Sequence, residues 1–206
     1  MKITCISDLH SYEPKLPGGD LLIIAGDLTS HDTIPQYMQF GSWIAAQKYE
    51  KIVMIAGNHD NLLQNESIFE MSNLTYLCDS GCEFQGLKLW GSPWTRLFLG
   101  QNKQCMAFAV ATEYQLMDYF SKIPQDTDIL ITHTPPSNIL DRSNNGRVGS
   151  LSLMTEVFNR KLKLHVFGHI HQMGCQTVTI NDTIYVNAAI CDDRYQQRST
   201  IVTLEL

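Results

Sequence analysis

Five short apolar runs rich in β-branched residues mark this chain, at 2–6, 20–25, 52–56, 129–132 and 164–167. Runs this short and continuous predict strands buried on both faces. Each run ends in, or leads into, a polar motif. The motifs are Asp8-Leu9-His10, Gly26-Asp27, Gly57-Asn58-His59-Asp60, Thr132-His133 and Gly168-His169-Ile170-His171. Five of the seven histidines fall in them. Strand ends gathered at one sheet edge would therefore assemble a dense set of oxygen and nitrogen donors.

Between the second and third runs, Ile34, Tyr37, Met38, Gly41, Ile44 and Ala45 share a helical face. A second helix is expected near 104–121, using Met106, Ala109, Val110, Leu116, Met117 and Phe120. A third is expected over about 150–162, through Leu151, Met154, Val157, Phe158 and Leu162. Segments 74–90, 174–180, 183–188 and 199–205 read as strands, with Asn181-Asp182 as a turn. Strands alternating with helices, plus extra hairpins, predict an α/β fold of two packed mixed β-sheets with helices outside. With no repeat or linker, residues 1–206 are expected to form a single domain. The longest polar loop, 135–150, opens on Pro135-Pro136 and is a candidate lip over a substrate.

The net charge is -6 and no run of Lys or Arg marks a nucleic-acid track. Long duplex nucleic acid is therefore a poor substrate. A small phosphate is not excluded, because bound metals reverse the local sign. No apolar run has membrane-span length, and no signal-peptide pattern opens the chain. The six cysteines are scattered without C-x-x-C pairs. Reduced thiols and a cytoplasmic location are expected. The oligomeric state stays open.

Asp8 and His10, two apart on a strand end, can point the same way and bind one metal. Alone, the motif reads first as a surface Asp beside a capping His. Asp27 offers two oxygens that could bridge two metals, or it could cap a turn. The Asn58 side-chain oxygen is a neutral ligand for a hard cation. His59 beside it could protonate a leaving alkoxide. His133 alone would read as a core histidine, whereas His169 and His171 would alternate on one strand end. Jointly, ligand-type residues at five strand ends point to two divalent metals, a device for displacing a group from phosphorus.

In this order the motifs resemble the signature of the calcineurin-like metallophosphoesterase superfamily. Gly91-Ser92-Pro93-Trp94-Thr95, the 128–136 segment and the 164–171 segment resemble its small metallophosphoesterase domain-containing branch. The resemblance implies an α-β-β-α sandwich. It also implies that Asp8, His10, Asp27 and His171 hold one metal, and that Asp27, Asn58, His133 and His169 hold the other. His59 would be the general acid, and Asp60 would orient an imidazole.

Two dications with Asp8, Asp27 and a deprotonated shared water leave a charge of about +1, suited to one phosphodiester anion. The expected activity is a phosphodiesterase for small substrates such as 2′,3′- or 3′,5′-cyclic nucleotides. Mn²⁺ is the expected metal in vitro, with Fe²⁺ and Zn²⁺ also fitting. The alternatives are a phosphomonoesterase or protein Ser/Thr phosphatase, and a non-catalytic metal-binding scaffold. Trp94 and Phe98 could stack a base, though core packing is their default use. Arg142 and Arg147 could contact phosphate. His31 and His165 read as structural.

Overall fold

The computed structural model describes residues 1–64, 68–97 and 102–206. Its first half contributes β1 (Lys2–Ile6), β2 (Gly19–Ala25), helix α1 (Ile34–Ala45), β3 (Tyr49–Ile55), β4 (Leu74–Tyr76), β5 (Ser80–Phe84) and β6 (Leu87–Ser92). A short pair, β7 (Thr95–Arg96) and β8 (Ala109–Val110), precedes α2 (Glu113–Phe120) and β9 (Ile129–Thr132). A hairpin of β10 (Arg142–Ser143) and β11 (Gly146–Arg147) leads into α3 (Leu151–Phe158). The chain then forms β12 (Leu164–Phe167), β13 (Gln176–Ile180), β14 (Thr183–Asn187) and β15 (Val202–Glu205).

One sheet runs β15-β1-β2-β3-β4 and the other β13-β14-β12-β9-β6-β5. The central strands of each pair in parallel, while β15, β13 and β5 add antiparallel edges. Alternation explains why the strands are apolar throughout. Ile3, Cys5, Leu21, Ile23, Val53 and Ile55 meet Leu89, Ile129, Ile131, Leu164 and Val166 between the sheets. The intervening Leu22, Ile24, Ile52 and Met54 pack outward against Tyr37, Phe40 and Ile44 of α1. Leu130 and Phe167 do the same against Leu116 and Phe120 of α2 and Leu153 and Val157 of α3. The α-β-β-α sandwich expected from the motifs is the observed architecture.

The helices depart from expectation. The second begins at Glu113, because Thr112 and Gln115 form a reciprocal capping box that fixes its start. Ala109 and Val110 pair with β7 instead, and Met106 and Met117 are exposed. The third helix is capped by Ser150, whose hydroxyl accepts the Leu153 N–H, and it stops at Phe158. On α1 the buried stripe is Tyr37, Phe40 and Ile44, while Ile34 and Met38 face solvent. Among the described residues, no helix is long and apolar enough to cross a membrane.

Candidate metal centre

The C-terminal ends of β1, β2, β3, β9 and β12 deliver the five motifs to one place, as parallel α/β sheets deliver ligand sites. The local geometry corrects the sequence reading of D-x-H and G-H-x-H. The β1 strand stops at Ile6 and β12 at Phe167, so pleat alternation does not aim these side chains. Asp8, His10, Asp27 and His169 have φ of 53°, 44°, 54° and 66°. Left-handed backbone is uncommon outside glycine, and Asp, Asn and His are the side chains that best tolerate it. The turns are fastened to each other: the Asp8 and His10 N–H groups donate to the carbonyls of Gly26 and Asp27 at 2.9 and 3.1 Å.

Two close approaches require glycine. A Cβ on Gly57 would lie 2.2 Å from Asp27 Oδ1, and one on Gly168 would lie 2.1 Å from Asp8 Oδ2. These glycines bring backbone against the two carboxylates.

The donors form adjoining groups. Asp8, His10 and His171 make one, and Asp27, His133 and His169 another, with the ligand atoms of each within 4.8 Å of one another. A third grouping, His10, Asp27 and His59, lies between them. His171 Nε2 is 3.1 Å from Asp8 Oδ1 and 3.2 Å from His10 Nε2. His133 Nε2 is 3.0 Å from Asn58 Oδ1 and 3.4 Å from Asp27 Oδ1. Asp27 Oδ2 is 3.8 Å from His10 Nε2. One carboxylate thus turns an oxygen toward each group.

Three imidazoles are oriented by backbone carbonyls. Nδ1 of His133 faces the Ala25 oxygen at 2.9 Å, that of His171 faces Asp192 at 2.9 Å, and that of His59 faces Ser30 at 3.2 Å. An N–H donated at Nδ1 leaves Nε2 pointing into the cluster as a lone-pair donor. Cys105 Sγ lies 3.3 Å from the same His59 Nδ1.

Asp60 corrects the expectation that it orients an imidazole. It is fully buried, and its carboxylate accepts N–H groups from Leu28, Thr29 and Gly57 at 2.8–3.2 Å. It bolts the Asp27 turn to the Asn58 turn. Burial, joined by the Asp27 charge, pushes its carboxyl up to about 7 against those donors.

Electrostatics within the cluster favour a cation. Burial works to raise Asp8, but the hydrogen bond and charge of His171 hold it below the usual carboxylate range. Burial likewise opposes ionisation of Asp27, which His133 and His59 outweigh, leaving it well below that range. Burial drops His10 to about 4, and burial with the His133 charge drops His169 to about 3. His133 rises to about 9 because Asp27 overcomes its burial. Among the described residues, no Lys or Arg pairs with either carboxylate; only imidazoles do. Among the described residues, buried His10 Nδ1 has no hydrogen-bond partner. Ionised buried carboxylates among imidazole and amide donors fit a pair of divalent cations.

The cluster floors a cleft of about 320 Å³, whose wall includes Thr95, Arg96, Ser143, Asn145, Val148 and Tyr195. The 135–150 loop therefore does face the cleft. Arg142 and Arg147 do not line it; Arg147 pairs with buried Asp141 at 2.8 Å and shapes the lip from outside. Trp94 stacks on Tyr119 at 3.6 Å and donates Nε1–H to Asp79, so it packs. Phe98 lies outside the described residues. His31 is exposed, and His165 is buried beside Phe167 and Tyr185.

The sequence reading assigned no role to Thr95, whose hydroxyl is 3.3 Å from His169 Nε2, or to Tyr195. Thr95 does close the Gly91–Thr95 segment that carried the resemblance. Tyr195 sits in a stretch with no periodicity to announce it.

The family model described as "Calcineurin-like phosphoesterase" matches residues 1–173. The chain belongs to this family. The chain is 32% identical over 236 residues to human metallophosphoesterase domain-containing protein 1, covering 100% of this chain and 71% of that protein. It is 33% identical over 226 residues to UPF0046 protein C25E10.12 of Caenorhabditis elegans, covering 94% and 76%. Phosphopantetheinyl hydrolase from Mycobacterium tuberculosis shares the fold, with a TM-score of 0.60 at 12% identity over 98% of this chain and 95% of that one. TT1561 of Thermus thermophilus does so at a TM-score of 0.60 and 13% identity, over 98% and 97%.

Proposed function

We propose that this phosphoesterase is a two-metal phosphodiesterase for small substrates, cyclic nucleotides among them. The observation that carries the reading is Asp27, which turns one oxygen to each donor group at the floor of an open cleft. When bound, two divalent cations supply an acidified water and positive charge for the phosphoryl oxygens. Asp8, His10, Asp27 and His171 would hold one cation. Asp27, Asn58, His133 and His169 would hold the other. The donor set suits Mn²⁺, Fe²⁺ or Zn²⁺.

His59 reaches the cleft through Nε2, 3.9 Å from Asp27 Oδ2, while its Nδ1 is anchored on Ser30. In the protonated state it can hand a proton to the departing oxygen. Asp60 positions both turns and touches no substrate.

Charge supports a diester over a monoester. Arg96 is the one guanidinium among the described cleft-lining residues, and Asp27, Glu113 and Asp193 line it too. A monoanionic diester asks less positive charge of this wall than a dianionic monoester does. We further propose that the protein works in the cytoplasm on small phosphoesters, and acts on neither long nucleic acid nor membranes.

The test is metal-dependent turnover of 2′,3′-cyclic AMP, 3′,5′-cyclic AMP and an aryl monoester by stripped, Mn²⁺-reloaded protein. Hydrolysis of a cyclic diester that stops on metal removal supports the reading. Monoester-only activity makes the protein a phosphatase, and two bound metals without turnover make it a scaffold.

A further inference from the structure

Beyond β14 the chain makes a tight turn that no part of the family match covers, since that match ends at residue 173. Asp192 builds the turn. Its Oδ1 accepts the N–H groups of Arg194 and Gln196 at 2.8 and 2.9 Å, and its carbonyl accepts the Tyr195 N–H at 2.9 Å. Two further bonds fix the turn to the centre. The Asp192 carbonyl takes the His171 Nδ1–H, and Arg198 Nη2 donates to the His171 carbonyl at 2.9 Å. Tyr12 clamps it from the other side, with its hydroxyl donating to the Tyr195 carbonyl at 3.0 Å.

The product of this bracing is the placement of one ring. Tyr195 has φ of 57°, and its ring centroid lies 4.8 Å from His10, 5.2 Å from His171 and 6.4 Å from His59. The rings of His10 and His171 meet it at 72° and 83°, edge contacts that fix its orientation. Tyr195 stays 49% exposed and forms part of the cleft wall. A large aromatic surface held rigid beside the reaction floor, and left open to solvent, suits a planar ligand group.

We infer that Tyr195 is a specificity-determining residue whose ring stacks on the nucleobase or aryl ring of a phosphate ester held in the cleft. The inference rests on the phosphodiester reading above for the phosphate end and adds the identity of the organic end. Trp94, next in the chain to cleft-lining Thr95, already has Tyr119 on its face.

The experiment separates ring recognition from phosphate binding without relying on turnover. Dissociation constants of adenosine 5′-monophosphate and ribose 5-phosphate are measured by calorimetry on Mn²⁺-loaded wild type, Tyr195→Phe and Tyr195→Ala, with metal content assayed in each. Wild type and Tyr195→Phe are expected to bind the nucleotide more tightly than the sugar phosphate. Tyr195→Ala is expected to bind the nucleotide about tenfold more weakly, as loss of base stacking does, with sugar-phosphate affinity held within about twofold. Four results overturn the inference: equal weakening of both ligands, no weakening of either, a wild type indifferent to the base, or a Tyr195→Phe loss as large as that of Tyr195→Ala. A base preference that survives while the cyclic diesters are not hydrolysed would sink the diesterase reading alone.

Discussion

Asp60 accepts the backbone N–H of Leu28 on both carboxylate oxygens, at 3.1 and 3.2 Å, although 32 residues separate them. The same carboxylate takes Gly57 N–H, so one buried side chain sets the distance between the Asp27 and Asn58 turns. Asp60→Asn keeps the volume, offers one acceptor fewer and introduces an amide donor among N–H groups. It is expected to destabilise the fold by about 2 kcal/mol, the scale of a lost hydrogen bond to a charged group. Thermal unfolding with and without Mn²⁺ checks this, and an unchanged midpoint in both conditions refutes the clamp.

Asp27 and its neighbours make a stoichiometry prediction. Asp27→Asn is expected to bind close to no metal, because it weakens both donor groups. His133→Ala and His171→Ala should each retain about one ion, since each belongs to a single group. Metal analysis after dialysis reads the result directly. Equal stoichiometry in all three variants would remove the bridging role from Asp27.

His59→Asn is expected to keep both metals and to lower turnover of substrates with poor leaving groups by about 10²–10⁴-fold. An activated aryl ester, which needs little protonation, should lose far less. Equal losses on both substrates would take the general-acid role away from His59.

Gly168→Ala places a methyl 2.1 Å from both Asp8 Oδ2 and Ser7 Oγ. Both of those residues are fully buried, so the Asp8 carboxylate must shift. Metal affinity at the Asp8 group is expected to fall about 10–100-fold, as when support of a ligand is disturbed. Titration with Mn²⁺ tests it, and wild-type affinity would show that the turn can give way at no penalty.

His165 governs part of the acid stability. It is buried, and its Nε2 is 2.9 Å from Thr132 Oγ1, whose proton goes to the Thr134 carbonyl. Burial drops it to about 3 from an ordinary 6.5. Between those values the unfolded chain binds a proton that the folded chain refuses. Stability from this residue therefore falls as pH drops from about 6.5 to about 3, by about 1.4 kcal/mol per pH unit. His165→Leu leaves the Thr132–Thr134 bond intact and should flatten the slope. Denaturant midpoints of both proteins at pH 7, 6, 5 and 4 measure it, and parallel slopes would refute it.

Much of the fold was legible because its central strands are buried on both faces, a pattern that survives in single residues such as Leu22 outward and Ile23 inward. The ligand-type residues were legible as types, since Asp, Asn and His at strand ends are chemically distinctive. Their aim was not. Asp8 and His10 converge through left-handed turns fixed by hydrogen bonds to Gly26 and Asp27, which are distant in sequence. The 104–112 segment carries apolar residues at helical spacing, but Ala107 N–H bonds the Asn58 carbonyl and Ala109 joins β7. Asp60 looked like an acid beside a histidine, and only tertiary contact shows that it faces amides. Tyr195 had no local signal, because its position depends on Tyr12 and His171.

The anchoring of His59, His133 and His171 on the carbonyls of Ser30, Ala25 and Asp192 has a consequence for how the centre can drift over generations. An imidazole held by a carboxylate loses its tautomer when one codon changes. A peptide oxygen is present whatever side chain its residue carries. Ser30, Ala25 and Asp192 can therefore be replaced without deleting the acceptor, provided the backbone path is kept. The proton arrangement of these three rings is inherited with the course of the main chain, and the mutational exposure of the centre is confined to the donors themselves and the few groups that hold the turns.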